Sequence, residues 1–570
     1  MIGRELNRGT ALGSRQARIY MTPSVSVMLG MIASYVLVAV FFWTSWGQGW
    51  PVGSFWWDEL ALAGASEAIH AGMVPTVDYW APFILPLYLK YWAVILVGHG
   101  GAYVAECLMQ GAIVLLLFCW LVGRKYQTVY LYLVGYVVVF AAIAPFNLLT
   151  VSEALLGYAG FSCAYNRLGG SLIALVLLLV GVRQDGQRDK YLICWLAVVF
   201  VLAFLLKVTV LQISWSLILM RGVVSPGQGW LRLLFWASLV AVTILCGMAW
   251  LGGGASGYLS ALKYLSEVRL SLLWPNIGFL LGLLVFEHRF ELAVLLLLGL
   301  LAAMRGSLSK IPWLAQLLWF LLACVAVSAY TSSNYGDNGM MPAIGATFVL
   351  LRNRGLKEPA LSIPVQVRRL ERLLLALSQG LVGLLVAFYV ALICYWTFSL
   401  FTHSRQSEAI HVPVRAHHLA SNYVIEQGAW SKRPDMVSAD LPIDLRSPGV
   451  YASYLEGLDE AYIYLDTHVP DRSTKVYALD FPAYVFSLIG GYQVPRNSFP
   501  WLLFGHEITM DHHPEAKLLL ADVEILLISK CSASGDNRRW LYGIYRVYIE
   551  KNFRREGVLS CWDIYRRGAL

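Results

Sequence analysis

Long apolar runs separated by short polar stretches dominate the first 400 residues. The first run, from about Val25 to Thr44, is long enough to cross the ~30 Å hydrocarbon core of a bilayer as a helix. Arginines precede it and no cleavage pattern of small residues closes it, so we predict an uncleaved span that leaves residues 1–24 in the cytoplasm. Further runs lie near 102–122, 128–145, 168–182, 191–206, 208–220, 231–251, 274–287, 291–304, 311–330, 340–351 and 373–398.

Basic loops orient these runs, because cytoplasmic loops carry an excess of Lys and Arg. Phe83 to Gly98 would be a thirteenth run, but the first four spans obey the rule only if it does not cross. Its Pro82, Pro86 and Lys90 favour an interfacial helix at the outer surface. An odd number of spans between 275 and 351 is needed to return the chain to the cytoplasmic side at the basic loop 352–372, but the sequence shows four apolar runs there. Either one of these runs is therefore re-entrant or two of them form a single span. The basic positions that should be cytoplasmic are Arg124/Lys125, Arg183/Arg188/Lys190, Arg221/Arg232 and the run from Arg352 to Arg372.

Composition separates this body from the rest of the chain. Hydrophobic residues make up 58% and charged residues 14% of the 570 residues, which excludes a set of soluble domains. The first 400 residues hold 25 Lys/Arg against 15 Asp/Glu, and the last 170 hold 18 against 20, so the net charge of +8 comes from the membrane body. We attribute this positive charge to the excess of Lys and Arg in cytoplasmic loops, and we expect no nucleic-acid partner.

The tail from residue 399 to 570 has an ordinary charge density and short β-like runs, Lys475 to Phe481 and Val523 to Ser529. We therefore predict an α-helical polytopic membrane protein with about 11–13 transmembrane helices over 25–398 and a C-terminal soluble α/β domain outside the membrane. Cys531 and Cys561 could form one disulfide in an oxidising compartment. The tail also holds 8 of the 11 histidines, which we interpret as a solvated surface, since adjacent pairs such as His512/His513 share no third ligand.

The first outer loop, 45–101, carries the most informative polar residues. Asp58 and Glu59 follow two tryptophans just beyond the first span, and an apolar helix then runs to His70. One interpretation is an aromatic belt that anchors an interfacial helix, whose first turn favours acidic residues. The alternative is a reaction site at the outer face. The order of elements favours the second interpretation: acidic pair, amphipathic helix, Gly72, the stretch Asp78-Tyr79-x-x-Pro82, and Pro86-Leu87-Tyr88 opening the next helix.

This order resembles the first outer loop of GT-C membrane glycosyltransferases, in particular the bacterial branch related to protein O-mannosyltransferases and lipid A aminoarabinose transferases. The likeness of layout continues to about residue 351, and the tail resembles the periplasmic domains of some bacterial members. One departure is that Ala81-Pro82 stands where aminoarabinose transferases have a lysine before a double proline. The resemblance implies transfer of a sugar from a polyprenyl-phosphate carrier to an acceptor on the outer side, with inversion at the anomeric carbon.

The resemblance also suggests roles for particular residues. Asp58 would be the general base, and Glu59 would orient it or bind the acceptor; about 100° separates neighbours on a helix, so only one should face the reaction centre. Asp78 and Glu153, the latter in the second outer loop (146–167), are candidates for an acceptor-binding or second carboxylate. Arg167 and Lys207 would hold the leaving phosphate, although Arg167 could instead snorkel to phospholipid headgroups and Lys207 could simply mark a turn. Further candidate substrate contacts are Tyr165, Asn166, Tyr335 and Asn338.

The remaining expectations concern cofactors, location and competing functions. The acidic residues could ligate Mg²⁺ or Mn²⁺, but the two cations favour a reaction with no obligatory metal. We predict a multi-pass protein of the bacterial inner membrane with its tail in the periplasm, whose partners are the lipid bilayer, a polyprenyl-phosphate sugar and an envelope acceptor. The alternatives are a transporter or flippase of lipid-linked glycans, against which the absence of an internal repeat counts, and a non-catalytic envelope assembly subunit.

Overall fold

A computed structural model provides the three-dimensional description of the protein. The residues it describes are 23–46, 50–51, 56–122, 129–143, 164–183, 189–224, 229–252, 254–268, 407–411, 422–426, 448–502, 508–531 and 537–568, with scattered positions from 323 to 394. The predicted runs between 274 and 351 and the basic loop at 352–372 lie almost wholly outside this part of the chain, as do Arg124 and Lys125.

Apolar helices form the N-terminal body. Within the described ranges, four helices are long and apolar enough to cross a membrane, and shorter apolar helices pack among them. The predicted runs from 25 to 251 thus correspond to helices, and the protein is a multi-pass membrane protein. The helices are α1 (Pro23–Trp46), α2 (Trp56–His70), α3 (Ile84–Val122), α4 (Val129–Ile143), α5 (Ala164–Val182), α6 (Asp189–Leu206), α7 (Val208–Val224), α8 (Trp230–Gly252), α9 (255–268) and α10 (Gln379–Ala391).

Helix α3 is two helical arms joined at Gly98, whose φ of 73° and ψ of 173° are not helical. A straight helix would separate residues 90 and 106 by about 24 Å along its axis. The Lys90 Nζ atom instead lies 2.6 Å from Glu106 Oε2, so the two arms fold back on each other. The first arm, 84–97, would be only about 21 Å long, too short to cross the ~30 Å hydrocarbon core alone. The structure therefore separates this arm from the 102–122 span at Gly98, and the interfacial position of Phe83–Gly98 stays a prediction.

The helix ends collect at two opposite ends of the bundle. One end, which we call the basic end, brings Arg183 over the ring of Trp230 at 4.3 Å and places Tyr191 against Trp120. The other end, the tail-facing end, holds the start of α5 and the turn between α6 and α7, where Lys207 lies. Arg183 follows α5 and Lys207 follows α6, so the two residues are separated by one span and should lie on opposite sides of the membrane. Their positions at opposite ends of the bundle agree with this expectation.

The C-terminal part contains a four-stranded mixed sheet formed by β4 (Val476–Leu479), β5 (Ile525–Ser529), β6 (Phe553–Val558) and β7 (Trp562–Arg567). The strand order is β4-β5-β7-β6, with β4 and β5 parallel and the other pairs antiparallel. The two predicted strands are confirmed as β4 and β5, and both are buried. A disulfide joins Cys531 to Cys561, as the sequence allowed. The helices that accompany the sheet are α11 (Pro448–His468), α12 (Val485–Gly490), α13 (Ala516–Leu520) and α14 (Asn537–Asn552).

The tail joins the membrane body through backbone pairing and close helix contact. Strand β1 (Trp50–Pro51) of the first outer loop pairs in parallel with β3 (Asn422–Glu426), which pairs antiparallel with β2 (Ser407–His411). Helix α2 packs on α12, and a Cβ added at Gly64 would lie 2.8 Å from the backbone oxygen of Tyr484. The backbones therefore meet only because residue 64 has no side chain.

Candidate functional site

A buried ion-pair network lies where α2 meets the two arms of α3. The Lys90 ammonium contacts the Glu59 carboxylate and lies 2.6 Å from Glu106 Oε2, and all three side chains are at most 2% exposed. Gln110, one turn beyond Glu106, donates a hydrogen bond of 3.1 Å to its Oε1 atom. Burying a charge without a partner costs several kcal/mol, so three such side chains are retained together only because they satisfy one another.

Arg167 adds a second cation to this network. It lies in the first turn of α5 and is 1% exposed. Its Nη2 atom donates to the Tyr103 hydroxyl at 3.2 Å and lies 3.3 Å from Cys107 Sγ, and Lys90 Nζ lies 5.7 Å from the centre of the same Tyr103 ring. Two cations and two carboxylates, those of Glu59 and Glu106, thus share one buried region. Their formal charges balance, which lowers the cost of removing them from water.

The protonation of Glu59 depends on this balance. Burial raises the pKa of its carboxyl, while the ammonium of Lys90 and the guanidinium of Arg167 oppose that rise. Lys90 therefore favours the charged form of the carboxyl and holds the first turn of α2 against α3. Of the adjacent acidic residues, Glu59 points into the bundle, whereas Asp58 is only partly buried, consistent with the predicted divergence of the two side chains.

A second contact fixes the other end of α2. His99 Nε2 lies 3.1 Å from Glu67 Oε1, just beyond the bend at Gly98. Glu59 and Glu67 lie about 12 Å apart along their helix, and their partners follow in the same order, with Lys90 within the first arm of α3 and His99 just beyond its end. Helix α2 therefore runs alongside the first arm of α3 in the same direction, and both of its ends are held. This arrangement sets the position of Asp58.

Lys207 lies at the tail-facing end, in the turn between α6 and α7. It donates a hydrogen bond of 3.3 Å to Asn166 Oδ1 and lies 5.7 Å from the ring centres of both Phe83 and Tyr165. Asn166 precedes Arg167 in the chain, so the residue that Lys207 contacts and the second predicted phosphate-binding cation are neighbours in the first turn of α5. Lys207 is partly exposed while Arg167 is buried, so an anion that enters from this end reaches Lys207 first.

Asp78 is held in the turn that follows α2. Its Oδ2 atom accepts a hydrogen bond of 2.9 Å from the backbone N–H of Val74, and its Oδ1 atom lies 3.8 Å from Nε of Arg496 in the tail. Its backbone oxygen also accepts a hydrogen bond from Asn497 N at 2.7 Å. These contacts give Asp78 a structural role at the junction of loop and tail, beside its predicted role as a substrate-binding carboxylate.

The structure brings together several of the residues that the sequence singled out. Glu59 and Arg167 belong to the buried network, and Asp58 lies on the helix that Glu59 holds. Lys207 contacts Asn166 and Tyr165, and this second group adjoins the first through the sequence neighbours Asn166 and Arg167. Glu153, Tyr335 and Asn338 lie outside the described residues.

Sequence reasoning interpreted Lys90 only as a mark of an interfacial helix and missed Glu106 altogether. A glutamate and a glutamine one turn apart within an otherwise apolar span were the available signal, because polar residues inside a span are costly unless partnered.

Metal ligation by the buried carboxylates conflicts with this geometry. Lys90 occupies the position between Glu59 and Glu106 that a divalent cation would need. Among the residues that the structure describes, no three His, Cys, Asp or Glu side chains form a group suited to a metal ion. Glu153 is outside that set, so independence from a metal stays a prediction.

No protein-family model matches the chain, and no curated protein matches it. Among solved structures, it is similar to ArnT from Cupriavidus metallidurans bound to undecaprenyl phosphate, at 11% identity and a TM-score of 0.43 over 94% of this chain and 98% of that one. The similarity to the apo form of ArnT has an identity of 13% and a TM-score of 0.45, again over 94% of this chain and 98% of that one. The similarity to the apo oligosaccharyltransferase of Archaeoglobus fulgidus has an identity of 12% and a TM-score of 0.41, over 90% of this chain and 70% of that one.

At this level of similarity the comparison assigns no residue and no reaction to this chain. The roles considered below rest on the contacts within the protein itself.

Proposed function

We propose that the protein is an integral membrane glycosyltransferase that moves a sugar from a polyprenyl-phosphate carrier to an envelope acceptor at the tail-facing end of the bundle. One observation carries the proposal: Asp58, on a helix held by buried ion pairs, and the cations Lys207 and Arg167 are brought to the same end of the bundle. A base for an acceptor and cations for a departing phosphate are the groups that this transfer needs.

In the proposed reaction, an acceptor hydroxyl or amide attacks the anomeric carbon of the donor sugar. Asp58 accepts the proton that the acceptor loses, and the new bond forms on the face opposite the phosphate, so the configuration inverts. The bond from the anomeric carbon to the phosphate oxygen breaks, and the polyprenyl phosphate leaves with the electron pair. Lys207 meets this phosphate directly, and Arg167 adds positive potential from inside the bundle. Glu59 stays paired with Lys90 and positions α2.

The test uses membranes that contain the full-length protein and a panel of undecaprenyl-phosphate hexoses and pentoses labelled in the sugar. We expect label to move from the lipid to an envelope acceptor, and we expect Asp58→Asn and Lys207→Gln to reduce that transfer at least a hundredfold, the scale of a lost general base or charge-stabilising group. Matched controls are Glu267→Gln and Lys263→Gln, whose side chains are 52% and 79% exposed at the same end. They should leave transfer unchanged. Full activity in Asp58→Asn would remove its assignment as the base.

The same experiment separates the two alternatives. A flippase would carry the labelled lipid across sealed vesicles with the sugar still attached, and the Asp58 carboxylate would not be needed as a base. An assembly subunit would bind the carrier lipid but never release the sugar. Either result would overturn the proposed transferase activity.

A further inference from the structure

The tail contributes an aromatic side chain to the surroundings of Lys207. The rings of Tyr165, Phe83 and Trp501 form a stack: Phe83 lies 5.0 Å from Tyr165 at an interplanar angle of 28°, and 5.8 Å from Trp501 at 16°. These residues come from three separate parts of the chain, namely the first outer loop, the start of α5 and the tail. Lys207 lies beside two of the three rings.

Trp501 is held by a short segment, 497–502, that spans from the tail to the first outer loop. Toward the loop, Trp80 N donates to Ser498 O at 3.0 Å. Toward the tail, Ala483 N donates to Pro500 O and Leu502 N donates to Phe481 O, both at 3.1 Å, next to the end of β4. The backbone on both sides of Trp501 is thus fixed.

The neighbouring rings close the same junction. Trp80 stacks on Phe499 at 4.9 Å, and Tyr264 of α9 lies 5.7 Å from each of them. Trp501 and Phe499 are only 6% and 4% exposed. Phe83, by contrast, is partly exposed, and stacking on Trp501 restricts the side-chain orientations open to its ring.

We propose that Trp501 is a positioning residue for the phosphate-binding lysine: by stacking on Phe83 it fixes the ring pair against which the Lys207 ammonium lies. The tail is then part of the donor site rather than an appended module. A cation near the faces of two aromatic rings gains energy only while the rings keep their orientation. The proposal rests on the proposed function, because it assigns Lys207 to the phosphate of a polyprenyl carrier.

The test measures the dissociation constant of undecaprenyl phosphate for the purified full-length protein in nanodiscs. We expect Trp501→Ala to weaken binding about threefold to tenfold, the range for losing one aromatic contact. Trp501→Phe should restore most of the affinity, because a phenyl ring can still stack on Phe83. The matched control is Phe553→Ala in β6, which is also 6% exposed and packs near Arg567 in the tail. It should leave the dissociation constant unchanged even if it lowers the stability of the tail.

A double-mutant cycle with Lys207→Gln distinguishes positioning from general damage. If Trp501 acts through Lys207, Trp501→Ala should weaken binding no further once Lys207 is replaced. Equal losses in both backgrounds, or unchanged binding in Trp501→Ala alone, would overturn the inference. If the wild-type protein fails to bind undecaprenyl phosphate at all, the proposed function itself is refuted, so the two failures are distinguishable.

Discussion

Replacement of Lys90 by methionine tests the buried network most directly. The change removes the cation from between Glu59 and Glu106 while roughly preserving the volume and apolar stem of the side chain. Removing one partner from a buried ion pair costs about 3–5 kcal/mol, because the other partner is left charged and unpaired. In a chain of 570 residues each kcal/mol shifts the melting temperature by about 1 °C, so the melting temperature should fall by roughly 3–4 °C.

The loss should also depend on pH. Burial already raises the pKa of Glu59 to about 7 with Lys90 present, and removal of the ammonium raises it further. A carboxyl whose folded-state pKa exceeds its unfolded value binds more protons when folded, so stability falls as pH rises until that folded pKa is passed. We therefore expect the deficit of Lys90→Met to deepen as pH rises through 7 and to recover in part on acidification.

The assay is thermal unfolding of the purified full-length protein, followed by tryptophan fluorescence across a pH series. Lys263→Met is the control, because that lysine is 79% exposed and its 4.0 Å pair with Glu267 is worth less than about 1 kcal/mol. A double variant, Lys90→Met with Glu59→Gln, removes one charge of each sign, leaves Glu106 to balance Arg167 and should regain much of the lost stability. If Lys90→Met melts within about 1 °C of wild type at alkaline pH, near the scatter of surface substitutions, the network is not a stabilising clamp.

Two other perturbations test how the tail is built and attached. Gly64→Ala would place a Cβ atom 2.8 Å from the backbone oxygen of Tyr484, so we expect about 1–3 kcal/mol of destabilisation by thermal unfolding, whereas Gly247→Ala, with open space around it, should cost nothing by that measure. Equal melting temperatures of Gly64→Ala and Gly247→Ala would show that the backbones of α2 and α12 are not in close contact at residue 64. Reduction of the disulfide, or Cys531→Ser, should cost about 3–4 kcal/mol because the bridge closes a loop across 30 positions to Cys561. Unfolding of the tail that is insensitive to reductant would contradict this expectation.

The sequence by itself determined the features that depend on local chemistry. Apolar runs predict helices of membrane length because a backbone in lipid must satisfy its hydrogen bonds internally, and α1 and α4–α8 lie where the runs were. The strands β4 and β5 and the division of charge between body and tail follow from local pattern and composition as well, whereas the sequence only allowed the pairing of Cys531 with Cys561 and the structure established it. Asp58 and Glu59 were conspicuous because acidic residues are rare in this body.

The tertiary structure alone decided which residues meet. Lys90 faces Glu106 because the chain reverses at Gly98, and the three glycines between the two apolar runs (Gly98, Gly100 and Gly101) do not reveal how far the chain turns. Trp501 reaches Phe83 across more than 400 positions, a contact that no local pattern encodes. Hydrophobicity determines that a segment is buried, but which buried charges and rings become neighbours depends on how the helices and the tail pack together, and that packing sets the chemistry of the site.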